Sequence, residues 1–148
     1  MHSELSILIR APRTEIFRTA ANLERWPEFL PHYIRNHFTS GSAYDGIVDM
    51  SCHRPPWVLK WTSQFRADPE KFELHFHHLR PTTRGMIVIW TMEETPGGVE
   101  VKITHDFTLK WPLIGALVAN WIIGRYLIDS VATRTLRHLK QTVESRTK

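Results

Sequence analysis

The segment WVLKWTSQFRA (57–67) alternates apolar and polar side chains with a period of two, which is the pattern of a β-strand with one buried face. One face of this strand would hold Trp57, Leu59, Trp61, Ser63 and Phe65. The other face carries lysine, threonine, glutamine and arginine. Such alternation is typical of an antiparallel sheet that packs one face on a core and leaves the other in water. The segment therefore predicts an antiparallel sheet in the middle of the chain.

The segments on both sides of this strand repeat the same alternation. FELHFHHL (72–79), GMIVIWTME (85–93) and VEVKITHDFTL (99–109) each place apolar residues on one face, and turn-forming residues separate them. Weaker strands at 33–39 and 47–53 precede them, and LSILI (5–9) reads as a first strand. Together these segments predict a meander of hairpins with one dry face. That face would include Phe72, Leu74, Phe76, His78, Met86, Val88, Trp90, Met92, Val99, Val101, Ile103, His105 and Phe107.

Two short helices are predicted between the first strand and the meander. Pro12 suits the first position of a helix, because its fixed φ fits a helix and its missing N–H is not needed there. Asn22 could cap a second short helix that carries Trp26 and Phe29. Pro31 would end that second helix.

The most apolar segment, WPLIGALVANWIIGRYLI (111–128), is predicted to begin one long helix after Pro112. Its uncharged run from Leu113 ends at Arg125, which is shorter than the roughly 20 residues needed to cross a bilayer. Apolar residues that include Leu117 and Trp121 recur at helical spacing to about residue 144. The segment therefore predicts a core helix and no transmembrane span. Its apolar first half is explained either by burial between the sheet and the short helices or by an apolar cavity that it lines.

Composition and charge fit an ordinary globular domain. Hydrophobic residues make up 42% of the chain and charged residues 23%, which is typical of an ordinary soluble globular protein. The single cysteine, Cys52, fits a reducing compartment, and the first residues lack the pattern of a signal peptide, so we expect a cytoplasmic location. The net charge of +4 comes without a nucleic-acid motif, so we expect no nucleic-acid partner.

No pattern in the sequence indicates a metal or a cofactor. His75 and His77 share a strand face, but only Glu73 is a nearby carboxylate and a closed zinc site needs four ligands. The chain has neither a glycine-rich phosphate loop nor a GxSxG elbow. Cys52 has no recognisable base and is interpreted as a packing residue. We therefore expect no metal site and no cofactor.

The order of these elements resembles the helix-grip fold of the START-like or SRPBCC superfamily. This superfamily includes polyketide aromatase/cyclases and coenzyme-Q-binding proteins. The resemblance is carried by IRAPRTEIFRTAANLERWPEFLPHY (9–33) and WTMEETPGGVEVKITHDFTLKWPLIG (90–115). It implies an α+β fold in which a curved antiparallel sheet, two short helices and a long C-terminal helix enclose an apolar cavity. A single domain would cover residues 1–148.

A hydrophobic small molecule is the ligand that this fold implies, and flat aromatic rings suit a planar or polyene one. The residues expected to bind it are Trp26, Trp61, Phe65, Phe76, Trp90, Phe107, Leu117 and Trp121. The cyclases that the chain resembles close a ring by aldol chemistry and then lose water, which requires an acid/base group and donors to an enolate. The residues expected to serve are His78, His105, Tyr33 and Ser63.

The sequence also departs from the aromatase/cyclases at two positions. Their cavity carries two arginines on neighbouring strands, and the matching positions here hold Phe65 and His78. An apolar ring and a titratable imidazole cannot replace two guanidinium groups. The substitutions leave hydrophobic binding intact and make catalysis of the aromatase type uncertain.

Three functions therefore stay open at this point. The first is a polyketide cyclase/dehydrase that acts on a polyketide-like or aromatic ligand. The second is a non-catalytic carrier of a lipid, quinone or isoprenoid, and the third is a module that binds a protein partner. A homodimer could form through an exposed strand edge or through the basic end of the last helix, and no sequence feature demands one.

Overall fold

The computed structural model describes residues 2–54, 56–80, 85–106 and 129–146, without the side chains of Arg54, Trp57 and Arg80. Seven strands and three α-helices account for most of this part of the chain. They follow one another as β1 (His2–Ile9), α1 (Arg13–Ala21), a 3-10 turn (Leu23–Arg25), α2 (Trp26–Phe29), β2 (Tyr33–Ser42), β3 (Asp45–Arg54), β4 (Trp57–Asp68), β5 (Glu73–Arg80), β6 (Ile87–Thr95), β7 (Gly98–Asp106) and α3 (Asp129–Arg146).

The seven strands form one antiparallel sheet in the order β1-β7-β6-β5-β4-β3-β2. The register shifts at three places, between Tyr33 and Arg35 and between Phe38 and Ser40 in β2, and at Thr62 and Ser63 where β4 meets β5. Such bulges increase the twist and bend the sheet. The sheet therefore curves around the long helix α3. This is the predicted α+β helix-grip architecture, and the fold prediction is confirmed.

The predicted faces of the central strands are confirmed. In β7 the residues alternate between buried and half-buried along the whole strand, as expected for a sheet with one dry face. The register also pairs inward-facing residues across strands, because Phe65 lies opposite Phe76 and Ser63 lies opposite His78. The core of the described residues thus lies on one side of the sheet.

Phe72 is the exception to the predicted faces. It lies in the turn before β5 and not in the strand, with a φ of +56°, which is unusual for a residue other than glycine. Its ring packs on α1, 5.6 Å from the ring of Phe17 and 3.9 Å from the guanidinium carbon of Arg13. The contact with α1 takes Phe72 out of the alternation that its sequence suggests.

Two details of the short helices differ from the prediction. Pro12 precedes the helix in an extended conformation, and α1 begins at Arg13, because the carbonyl of Pro12 accepts the first helical hydrogen bonds from Glu15 and Ile16. The Asn22 side chain caps nothing; its backbone carbonyl instead accepts the N–H of Arg25 at 3.2 Å. The second helix is therefore a 3-10 turn followed by one α-helical turn, which ends before Pro31.

The C-terminal part of the predicted long helix is confirmed as α3, which ends at Arg146 and not near residue 144. Hydrogen bonds hold it to β1 and to the residue after β1: the Ser3 hydroxyl donates to Asp129 at 2.7 Å, Lys140 Nζ donates to the Leu8 carbonyl at 2.6 Å, and the Arg10 N–H donates to Glu144 at 2.8 Å. Residues 107–128, with the predicted start of the helix, lie outside the described residues. Within the described part of the chain, no helix is long and apolar enough to cross a membrane.

Candidate ligand-binding site

Aromatic rings from the short helices and from the sheet meet on the dry face. The ring of Trp26, in α2, lies 4.9 Å from that of Tyr33 in an edge-on arrangement. It also lies 5.7 Å from the ring of Trp90 and 6.3 Å from that of Phe76. Trp26 is fixed in this place because its indole N–H donates to the Ala20 carbonyl at 3.0 Å. These four residues form a continuous wall, which we call the aromatic wall.

Trp61 and His78 continue this wall along the sheet. Their rings are stacked, with centroids 5.8 Å apart and planes 11° from parallel, and the Trp61 ring lies 6.2 Å from that of Tyr33. The indole Nε1 of Trp61 is buried and donates to no acceptor in the structure as described. A buried donor without an acceptor costs free energy, so a ligand oxygen at this position would be stabilised.

Phe65 and Ser63 lie beside this stack on β4, and both are fully buried. The Phe65 ring packs 4.8 Å from that of Phe76 and 6.1 Å from that of Phe38. The Ser63 hydroxyl donates to its neighbour's carbonyl, that of Gln64, at a long 3.3 Å. The position that the resemblance matches to an arginine of the aromatase/cyclases is thus filled by a packed apolar ring.

His78 and His105 are both buried and both kept neutral near pH 7. Burial is the main cause that lowers the pKa of His78 to about 3, and the nearby His105 lowers it further. Burial also lowers the pKa of His105 to about 4, against the opposing effect of Asp129 and Asp106. The Nδ1 atom of His105 is buried and has no hydrogen-bond partner in the described structure. The site therefore presents two neutral imidazoles, each of which has one N–H that donates a hydrogen bond and one nitrogen that accepts a hydrogen bond.

Tyr33 and Cys52 are protonated in this environment. Burial raises the pKa of the Tyr33 phenol far above its usual range, so the phenol acts as a hydrogen-bond donor or acceptor and not as a base. Burial likewise raises the pKa of Cys52 to about 12, which fits its interpretation as a packing residue. Neither side chain is therefore activated as a nucleophile.

The structure thus brings together Trp26, Tyr33, Trp61, Ser63, Phe65, Phe76, His78 and Trp90, with His105 close enough to affect the pKa of His78. Phe107, Leu117 and Trp121 lie outside the described residues. The roles given to all of these residues stay predictions. Among the residues described, no group of three histidine, cysteine or acidic side chains could hold a metal ion.

Sequence reasoning missed His32, which is 5% exposed and lies just before β2. Its Nε2 atom is 3.0 Å from the hydroxyl of Thr135 in α3, and its ring lies 4.9 Å from that of Tyr33. His32 lies in the connection between α2 and β2, where neither the helical nor the strand pattern of apolar residues indicates which side chains are buried. Only its place beside Pro31 and Tyr33 could have drawn attention to it.

The curved sheet around α3 and the aromatic wall define a helix-grip protein with an apolar inner face. Sequence comparison gives its family: residues 9–123 match the model of the polyketide cyclase / dehydrase and lipid transport family, and the chain belongs to that family. A relative from Streptomyces cyaneus, named "Putative polyketide cyclase", is 30% identical over 112 residues, which cover 74% of each chain.

Solved structures share the fold at low sequence identity. The ZhuI aromatase/cyclase from Streptomyces sp. R1128 superimposes with a TM-score of 0.87 at 15% identity, over 100% of this chain and 96% of that one. The di-domain aromatase/cyclase StfQ of the steffimycin pathway has a TM-score of 0.85 at 18% identity, over 99% of this chain and 51% of that one. A START superfamily protein from Mycobacterium smegmatis has a TM-score of 0.68 at 13% identity, over 98% and 95% of the two chains.

Proposed function

We propose that this chain binds a hydrophobic, polyketide-like or aromatic molecule against the aromatic wall and catalyses its cyclisation and dehydration. The observation that carries the proposal is the stack of Trp61 on His78, with the neutral imidazole of His105 nearby. The pKa values of about 3 and 4 make both imidazoles weak bases in the protein alone, so proton abstraction requires the bound ligand to raise these pKa values toward neutral pH. The family and its Streptomyces relative support the same chemistry.

Cyclisation and dehydration assign roles to the two histidines and hydrogen-bond donation to Tyr33 and Trp61, with the Ser63 hydroxyl as a further donor. A neutral histidine, His78 or His105, removes a proton from a methylene between two carbonyls of the ligand. The resulting enolate attacks a second carbonyl, and the proton returns to the new alkoxide. Tyr33 and the indole N–H of Trp61 donate hydrogen bonds to the oxygens on which negative charge develops. Loss of a second methylene proton and of the hydroxyl group as water completes the dehydration.

A non-catalytic carrier is the second candidate. It is favoured by Phe65, because a fully buried phenyl ring at that position offers contact area but no charge to a reacting group. The family description also includes lipid transport. A carrier of a lipid, quinone or isoprenoid would use the same aromatic wall and would need neither histidine.

The test compares His78→Gln with His77→Gln, because these neighbours lie on opposite faces of β5. His78 is buried and His77 is exposed. With a poly-β-ketone thioester as substrate, we expect His78→Gln to lower turnover by about 100-fold or more while ligand affinity stays within about threefold. His77→Gln should match the wild type. Cyclised and dehydrated products are measured by liquid chromatography with mass spectrometry.

Two results would contradict the catalytic role. Equal turnover in His78→Gln and the wild type would remove His78 from the reaction. A wild-type protein that binds the thioester analogue tightly and never converts it would favour the carrier instead.

A further inference from the structure

A surface cleft separate from the aromatic wall has an unusual set of lining residues. Its volume is about 220 Å³, and it is lined by Pro31, His32, His53, Arg134 and His138. The lining comes from three elements: the connection between α2 and β2, strand β3, and helix α3. Arg134 and His138 are four residues apart on α3 and therefore share one face of the helix.

Arg134 brings a positive charge to the cleft, and no carboxylate is among the lining residues. Arg134 forms no ion pair with any residue that the structure describes. Burial is the main cause that lowers the pKa of His32 to about 4, and the neighbouring His138 and Arg134 lower this pKa further. The His32 and His138 rings lie 6.2 Å apart. The region therefore favours an anion over a metal cation.

One neutral tautomer of His32 satisfies the hydrogen bonds around the ring. The Thr135 hydroxyl donates its only proton to the Val131 carbonyl at 2.8 Å, so it accepts from Nε2–H of His32 at 3.0 Å. The neutral ring then carries no proton on Nδ1, and this buried nitrogen has no partner in the described structure. His32 is 5% exposed, so in this tautomer it supplies a buried hydrogen-bond acceptor beside the Arg134 guanidinium.

We propose that this cleft binds a phosphate group that keeps one proton, as inorganic phosphate or as a phosphate monoester. Arg134, His53 and His138 donate to the phosphate oxygens from several sides, and the P–OH proton is donated to Nδ1 of His32. A carboxylate has two oxygens, which one guanidinium satisfies, so it would leave the other donors unused. The site does not depend on the proposed function, although His32 adjoins Tyr33 of the aromatic wall.

The first experiment titrates the protein with sodium phosphate and follows the histidine ring signals by NMR at constant pH and ionic strength. Sodium sulfate is the matched ligand, because it has the same shape and charge but no proton to donate. We expect saturable shifts of His32 and His138 with phosphate and binding by sulfate at least about fivefold weaker. Bound phosphate should also raise the pKa of His32, because an adjacent anion favours the imidazolium.

The matched variants are Arg134→Gln and Arg137→Gln. Both arginines are exposed on α3, so neither substitution should prevent folding, but only Arg134 lines the cleft. We expect Arg134→Gln to weaken phosphate binding by about tenfold or more and Arg137→Gln to leave it unchanged. Equal losses in the two variants, equal binding of sulfate and phosphate, or shifts that never saturate would overturn the proposal.

The source of the phosphate is distinguished by two further ligands. Glycerol 3-phosphate represents a soluble ester, and phosphatidylcholine vesicles with or without phosphatidic acid represent a lipid headgroup. Binding of either one that is lost in Arg134→Gln supports the cleft and identifies the source. If inorganic phosphate and both of these ligands fail to bind, the proposal is wrong.

Discussion

Lowering the pH from about 7 to about 4.5 is expected to destabilise the protein strongly. His32, His78 and His105 are buried, and their pKa values are lowered to about 4, 3 and 4. In the unfolded chain these groups titrate near 6.5. The unfolded state therefore binds more protons below that value, and the free energy of unfolding falls with pH until the folded-state pKa values are reached.

The magnitude of this acid effect is large for one domain. Each histidine is expected to contribute about 2 kcal/mol of destabilisation at a pH of about 4.5, and typical domains are stable by about 5–15 kcal/mol. Above a pH of about 7.5 the contribution should be constant, because these histidines are then neutral in both the folded and the unfolded state. The measurement is the free energy of unfolding in urea as a function of pH.

Two variants separate this effect from general acid denaturation. His105→Asn should reduce the slope of stability against pH between about 4.5 and 6.5, because one of the three buried groups is removed. His37→Asn, at an exposed position, is the control for the effect of the substitution itself. A stability that does not change over this range would contradict the burial of neutral histidines.

Replacement of Trp61 by arginine is expected to abolish binding of an apolar ligand. Trp61 lies between His78 and Tyr33, so an arginine there would place a charge against the aromatic wall. An apolar ligand cannot compensate the desolvation of a guanidinium group. We expect affinity to fall by at least about 100-fold, which corresponds to about 2.7 kcal/mol.

The matched control for Trp61→Arg is Gln64→Arg on the opposite face of the same strand, where the side chain is exposed. Binding is measured by fluorescence titration with Nile red, an uncharged probe, and retention of the fold is checked by circular dichroism. Gln64→Arg should bind Nile red like the wild type. A folded Trp61→Arg protein with unchanged affinity would show that the probe binds elsewhere.

The alternation of side chains made the sheet predictable from the sequence. A period of two determines which residues share a face, so the inward positions of Trp61, Phe65, Phe76 and Trp90 follow from spacing alone. The end of an alternating run is harder to predict. Phe72 continues the pattern of β5 in the sequence, yet its contact with Phe17 of α1 holds it in a turn.

The candidate site was predictable only in part, because distances between strands and ionisation depend on tertiary structure. Spacing indicates that His78 faces inward, but not that its ring is stacked on Trp61. The cleft was not predictable, since Thr135 and His32 are 103 positions apart in the chain and are joined only by folding. Local patterns contain no information about such long-range pairs.

The central claim is that an apolar ligand binds on the inner face of the sheet. The most direct test is to measure by NMR which methyl groups of the protein lie close to the bound ligand. Ile87 and Val88 are adjacent in β6, but Ile87 is 44% exposed and Val88 is 6% exposed, so their methyl groups report on opposite faces of the sheet. With Nile red bound, we expect nuclear Overhauser effects from the ligand to the methyl groups of Val88 and Met92 and none to Ile87. Contacts to Ile87 without contacts to Val88 would contradict a ligand-binding site on the inner face.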